Sequence, residues 1–174
     1  MTEFVFFSLP TLVYLLVRRR DPDARATMGL RLPRASDWLL GLLALAISLG
    51  IGWAATLAIP PEILRGPGTA GRVTGLVGAV AVALRALGEE VFFRGFLQGW
   101  VAKRWGGVAG IVVQGVAFLL PHLMLLTLGT VMIPLVAGQF VIGLVMGWLR
   151  HHTGSIGPSS LAHIVTNLVV ALAP

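Results

Sequence analysis

Six polar residues lie in apolar parts of the sequence, and their types could together do chemistry. They are two glutamates, an arginine, two histidines and an asparagine: Glu89, Glu90, Arg94, His122, His163 and Asn167. An ionisable side chain in the middle of a membrane costs at least about 2.5 kcal/mol on insertion scales, so it indicates function by default. A carboxylate and two imidazoles that converge in a low-dielectric cleft could polarise a water molecule and take its proton.

Two forms of this chemistry remain open. Glu89, His122 and His163 form a His₂Glu set that could hold zinc and leave a fourth position for the water. Without metal, Glu89 could act as the general base, and the histidines and Asn167 would position the water or stabilise the oxyanion. Glu90 and Arg94 stand four residues apart in the order that favours an ion pair. We therefore predict that they support the structure rather than react.

The composition predicts an integral membrane protein built only of helices. The chain has 174 residues, of which 56% are hydrophobic and 11% are charged, and its mean hydropathy is +0.89. A soluble domain of this length cannot bury so much apolar surface. The net charge of +6 is explained by positive loops on one side of a membrane, so no nucleic-acid partner is expected. The chain has no cysteine, which excludes disulfides and thiol chemistry.

Six apolar runs predict a polytopic bundle of about six membrane-spanning helices in a single domain, residues 1–174. Their approximate bounds are Glu3–Val17, Asp37–Ile59, Arg72–Ala102, Val108–Leu126, Thr130–Leu149 and Pro158–Ala171. Between the second and third runs, the Pro/Gly-rich residues 60–71 predict a turn. Pro121 removes a helical hydrogen bond next to His122, which predicts a kink there.

The loop charges predict the orientation of the bundle. Nine basic residues fall on one side, and only Arg65 and Arg72 fall on the other. The nine are Arg18, Arg19, Arg20, Arg25, Arg31, Arg34, Lys103, Arg104 and Arg150. The positive-inside rule then places both termini outside. Glu89 lies roughly 21 Å along its helix from the cytoplasmic end, and His122 is similarly deep. His163 reaches that depth only if residues 154–163 dip into the membrane, so we predict a site that opens to the cytoplasm.

Three short motifs resemble those of one known family. "EEVFFR" (89–94), "FLLPH" (118–122) and "HIVTN" (163–167) resemble the EExxxR, FxxxH and HxxxN motifs of the CAAX-processing and bacteriocin-processing (CPBP) intramembrane proteases. This family includes CAAX prenyl protease 2 and lysostaphin resistance protein A-like proteins. Each motif alone is weak, but all three in order on separate helices form a specific signal. The resemblance covers about residues 74–171, the protease-like core.

The resemblance implies a membrane endopeptidase that cleaves membrane-associated proteins or peptides. It implies that Glu89 is the catalytic base and that His122, His163 and Asn167 complete the site. The family mechanism has been described both as zinc-dependent and as glutamate-driven, so zinc bound by Glu89, His122 and His163 stays open. The Arg-rich, Ala/Gly/Leu-rich composition is typical of GC-rich bacterial genomes, which predicts a bacterial plasma membrane. Oligomeric state is not predicted.

Other functions remain possible on the residues alone. A non-catalytic membrane immunity or scaffold protein would tolerate the loss of Glu89. A small transporter would also need buried carboxylates and histidines, but would more often show inverted repeats, which this sequence does not show. A second pair of histidines, His151 and His152 in "RHHTG", is predicted to lie solvated in a loop and not to bind metal.

Overall fold

The computed structural model describes residues 2–64 and 75–172, and within these ranges every regular element is helical. The α-helices are α1 (Thr2–Val17), α2 (Ala24–Thr27), α3 (Ala35–Leu57), α4 (Pro61–Leu64), α5 (Gly75–Glu90), α6 (Gln98–Trp105), α7 (Gly107–His122), α8 (Ile133–Thr153) and α9 (Gly157–Leu172). The predicted all-α bundle is therefore confirmed. Helices suit this apolar sequence because each satisfies its own backbone hydrogen bonds without water.

Each of the six predicted spans corresponds to helical structure. Three stretches are long and apolar enough to cross a membrane by length and composition: Ala35–Leu57, Gly107–Leu128 and Thr130–Thr153. α1 is apolar but shorter, with 16 residues. The predicted third span is helical over residues 75–105, and the start assigned to it at Arg72 lies outside the described residues. Arg65 and most of the predicted 60–71 turn also lie outside them.

The EExxxR motif runs into a π-helix, which the sequence did not predict. Residues Val91–Leu97 form this segment between α5 and α6, and the backbone N–H of Gln98 donates to the carbonyl of Phe93 five residues earlier. π-helical turns are rare and often occur at functional sites. Because each turn is wider than an α-turn, α6 is rotated relative to α5. Arg94, within this segment, and Gln98, directly after it, are both buried.

The regular α-helix is interrupted next to Pro121, where the sequence predicts a kink. The interruption is a change from α-helix to the tighter 3₁₀-helix. α7 ends at His122 and continues as a 3₁₀-helix over Leu123–Leu128. Gly129 follows with a φ of 120°, a value that favours glycine. His122 is thus the last residue of the regular α-helix, where the loss of the proline N–H has already weakened the backbone ladder.

α9 begins inside the bundle rather than at its edge. Pro158, its second residue, packs so closely on Gly41 of α3 that a Cβ at Gly41 would lie 3.1 Å from the Cβ of Pro158. Gly41 is six residues, or about 9 Å, along α3 from Ala35. The segment before α9 is held by a hydrogen bond of 3.0 Å from the N–H of Ile156 to the carbonyl of Gly29. His163, which follows this inward start on α9, is buried.

α2 and α6 are in close contact at Gly99. A Cβ on Gly99 would overlap the carbonyl oxygen of Thr27, so we expect Gly99→Ala to destabilise the protein by about 1–3 kcal/mol through overpacking. The measurement is the melting temperature in detergent. The matched control is Gly50→Ala in α3, where a Cβ meets nothing within 4 Å; there the better helix propensity of alanine should leave stability equal or higher. Equal losses in both variants would contradict the close contact.

Candidate active site

His163 of α9 lies between the two adjacent carboxylates of α5. Its Nδ1 is 2.9 Å from Oε1 of Glu90, and its Nε2 is 3.8 Å from Oε2 of Glu89. Because an ionised carboxylate only accepts hydrogen bonds, Nδ1 carries the hydrogen and donates it to Glu90. In the neutral ring Nε2 is then an acceptor that faces Glu89. The side chain is buried, so this contact is shielded from solvent.

Glu89 has one oxygen held by a cation and one facing His163. Its Oε1 accepts a hydrogen bond of 3.0 Å from Nε of Arg85, one helical turn earlier. The same Nε lies 3.7 Å from Oε2 of Glu3 in α1. The Arg85 side chain is 59% exposed whereas that of Glu89 is 11% exposed, so Arg85 connects the site to the surface. This partner of Glu89 stands at the i,i+4 spacing of a helical ion pair, so the sequence alone already offers Arg85 as a cation that neutralises Glu89.

Glu90 and Arg94 form the predicted ion pair, and Glu90 also reaches another helix. Nη1 of Arg94 lies 2.9 Å from Oε1 of Glu90, and both side chains are fully buried. The guanidinium carbon of Arg94 is 4.3 Å from the centroid of the Phe118 ring, a cation–π contact to α7. The oxygen that pairs with Arg94 is the one that accepts from His163. The pair therefore orients an imidazole of α9 as well as fixing α5.

His122 is oriented by the backbone of its own helix. Its Nδ1 is 2.8 Å from the carbonyl oxygen of Phe118, and because a carbonyl only accepts, Nδ1 is the protonated nitrogen. The Phe118 ring lies 4.7 Å from the His122 ring and 5.8 Å from the His163 ring, centroid to centroid. Phe118, the aromatic residue of the FxxxH motif, thus contacts both imidazoles. Its carbonyl contact with His122 matches the four-residue spacing of FxxxH.

A family model described as "Type II CAAX prenyl endopeptidase Rce1-like" matches residues 72–169. The match covers more than half of the chain and contains all three motifs together with the side chains around His163. The chain belongs to the Rce1-like family. No curated protein and no solved structure matches it. Membership and the apolar helices identify an integral membrane protein of a protease family, which confirms the resemblance.

In this Rce1-like protein the remaining predicted site residue, Asn167, lies one turn after His163 on α9 and is half-buried. The structure thus brings Glu89, Glu90 and His163 into direct contact or near contact, and it connects His122 to them through Phe118. Among residues 2–64 and 75–172, no group of three or more His, Cys, Asp or Glu side chains is arranged to hold a metal ion. The predicted zinc ligands Glu89, His122 and His163 are therefore not arranged to hold a metal ion together. One oxygen of Glu89 accepts a hydrogen bond from Arg85 instead.

The second histidine pair is helical, so the loop predicted for "RHHTG" is wrong. α8 continues through His151 and His152 to Thr153, and Gly154 ends it with a φ of 64°. Basic residues are favoured in the last turn of a helix, and glycine is the usual residue at the left-handed position that follows. Both histidines are exposed, as predicted. His152 Nδ1 lies 3.2 Å from the carbonyl of Trp148.

Proposed function

We propose that this Rce1-like protein is an intramembrane endopeptidase in which Glu89 activates water to hydrolyse a peptide bond. The observation that supports the proposal best is the position of His163 between the two carboxylates. The 3.8 Å from Nε2 of His163 to Oε2 of Glu89 is longer than a hydrogen bond. A water molecule bound between these atoms would be within hydrogen-bond reach of both.

Each side chain has a separate role in this proposal. Oε2 of Glu89 takes a proton from the water as the water oxygen attacks the peptide carbonyl, and Glu89 returns that proton to the leaving amine when the C–N bond breaks. Nε2 of His163 accepts the other hydrogen of the water and so orients its lone pair. His122 supports this arrangement from α7 through the Phe118 ring, which contacts both imidazoles, and the Asn167 amide donates to the oxyanion. Glu90 and Arg94 hold His163 in the required tautomer.

The two buried histidines should matter and the two exposed ones should not. We expect His122→Ala and His163→Ala each to lower the cleavage rate by at least about 100-fold, because His163 orients the water and His122 supports it from α7 through Phe118. His151→Ala and His152→Ala are matched controls in the same protein and should keep nearly the full rate. The measurement is cleavage of a fluorogenic peptide in proteoliposomes, normalised to folded protein. The site assignment is wrong if the exposed pair is essential and the buried pair is not.

A zinc-dependent form of the same reaction is the second candidate. Each buried histidine donates its Nδ1–H to an oxygen, Glu90 for His163 and a carbonyl for His122. This is the support that metal-ligating histidines usually receive, with Nε2 left for the ion. Bound zinc would supply a more acidic water. Elemental analysis should then show near-stoichiometric zinc that is lost in His122→Ala and kept in His151→Ala, whereas full activity in metal-free protein would reject this form.

The substrate we propose is a membrane-associated protein or peptide, reached from the cytoplasmic side of a bacterial plasma membrane. The family description names CAAX prenyl endopeptidases, and the nine-to-two distribution of loop charges supports the orientation. Comparison of membrane-protein termini in cells carrying the wild type or Glu89→Gln should reveal peptides that stay uncleaved in the variant. Identical termini in both cells, with solute transport by the purified protein, would favour the transporter instead.

A further inference from the structure

A shallow cavity, open to the surface, lies at the C-terminal ends of α6 and α8, away from the residues proposed to react. It has a volume of about 330 Å³ and is formed by α2, α6 and α8. The lining residues are Asp23, Ala26, Thr27, Gly99, Ala102, Lys103 and Arg150. Two cations and one carboxylate thus face the same cavity.

Arg150 is the unusual member of this lining, because it is a buried cation without a carboxylate. Its relative exposure is 9%. One nitrogen, Nη2, donates to the carbonyl of Thr27 at 2.8 Å, but Nε makes no hydrogen bond within the described part of the chain. No carboxylate of residues 2–64 or 75–172 lies within 4.0 Å of its guanidinium. A buried charge that has no opposite charge is strongly unfavourable, so an anion in the cavity would stabilise it.

Lys103 supplies the second positive charge, from α6. Its Nζ is 3.1 Å from Oδ2 of Asp21, and the side chain is 50% exposed. This hydrogen bond raises the pKa of Lys103 above its ordinary value, so the amine is charged at neutral pH. Its flexible stem leaves two further N–H groups for another acceptor. Asp23 is the one negative charge of the lining and opposes an anion there.

We propose that this cavity binds a phosphate group, held by Arg150 and Lys103. Guanidinium and ammonium groups are the usual partners of phosphate oxygens in proteins, and Arg150 and Lys103 both line this cavity. The cavity lies where the chain is expected to meet the cytoplasmic membrane surface. The bound phosphate group therefore belongs either to an anionic lipid headgroup or to free inorganic phosphate. Because Thr27 of α2 packs on Gly99 of α6, the bound group would tie α2 to the two helices that end at the cavity.

The test is the melting temperature of the lipid-stripped full chain, titrated separately with short-chain phosphatidylglycerol, inorganic phosphate and short-chain phosphatidylcholine. The wild type should be stabilised saturably by phosphatidylglycerol, by phosphate or by both, and not by phosphatidylcholine. A response to phosphatidylglycerol alone identifies a lipid headgroup, and a response to phosphate identifies the free anion. Stabilisation by phosphatidylcholine to the same extent would overturn the proposal.

Variants separate this cavity from general surface charge. Lys103→Gln should weaken binding by about tenfold, the loss of one charge-assisted hydrogen bond. Arg104→Gln is the matched control, since it removes the same charge from the next residue, which lies on Trp100 and does not line the cavity. Asp23→Asn should bind more tightly. Equal weakening by Lys103→Gln and Arg104→Gln, or weaker binding by Asp23→Asn, would overturn the proposal without requiring any change at Arg150.

Discussion

Glu89→Gln is expected to lower the rate of peptide cleavage by about 10²- to 10⁴-fold, the usual contribution of a general base. Glutamine has nearly the shape of glutamate, and its amide oxygen can still accept the hydrogen bond that Arg85 donates to Oε1 at 3.0 Å. What the variant lacks is a proton acceptor opposite His163. Folding and membrane insertion should therefore survive, so the loss appears in the chemical step.

The matched control for this prediction is Glu3→Gln. Glu3 is also an acidic neighbour of Arg85, with 3.7 Å between Oε2 and Nε, but its side chain is 56% exposed and belongs to α1. Glu3→Gln removes one negative charge near Arg85, as Glu89→Gln does, but it should change the cleavage rate only slightly. The measurement is the cleavage rate per folded molecule in proteoliposomes. If Glu89→Gln cleaves as fast as the wild type, Glu89 is not the base; if both variants fail alike, the charge on Arg85 and not the proton acceptor is what matters.

The helices could be predicted from the sequence because membrane-spanning runs are long and bounded by charge. The predicted helix 3–17 begins within one residue of the observed Thr2–Val17. The Glu90–Arg94 pair could also be predicted, since both partners stand on one helix four residues apart. The helix bounds and the ion pair both depend only on residues that are close together in the sequence, so hydrophobicity and spacing are enough to predict them.

The π-helix and the contact from Glu90 to His163 could not be predicted in the same way. In an amphipathic helix, an extra residue per turn shifts the polar face and can be recognised in the sequence. This segment is apolar around most of its circumference, so it has no polar face that could show such a shift. Glu90 and His163 are separated by 73 positions, and their contact depends on how α5 and α9 are rotated and how deeply α9 begins. The motifs indicated that these residues belong together, but not that Glu90 rather than Glu89 would accept the hydrogen of His163.

Arg94→Ala is expected to destabilise the protein by about 3–5 kcal/mol, because it leaves the carboxylate of Glu90 buried without a cation. Both side chains of the pair are fully buried, and the variant also loses the cation–π contact with Phe118. The yield of folded protein and its melting temperature measure the effect. Asp21→Asn is the control, because it breaks the exposed pair with Lys103, 3.1 Å long, and should leave the melting temperature nearly unchanged. A similar small effect in Arg94→Ala would mean that Glu90 is not ionised in the folded protein.

The double variant Glu90→Gln/Arg94→Met separates the structural role of this pair from its effect on His163. Removing both charges together leaves no isolated buried ion, so much of the stability lost in Arg94→Ala should return. Cleavage should stay low, since the Nδ1–H of His163 would then face a neutral amide whose orientation is no longer held by an arginine. Recovery of both stability and rate would show that the pair only fixes α5. Recovery of stability alone would show that Glu90 positions the imidazole opposite Glu89, as the 2.9 Å hydrogen bond indicates.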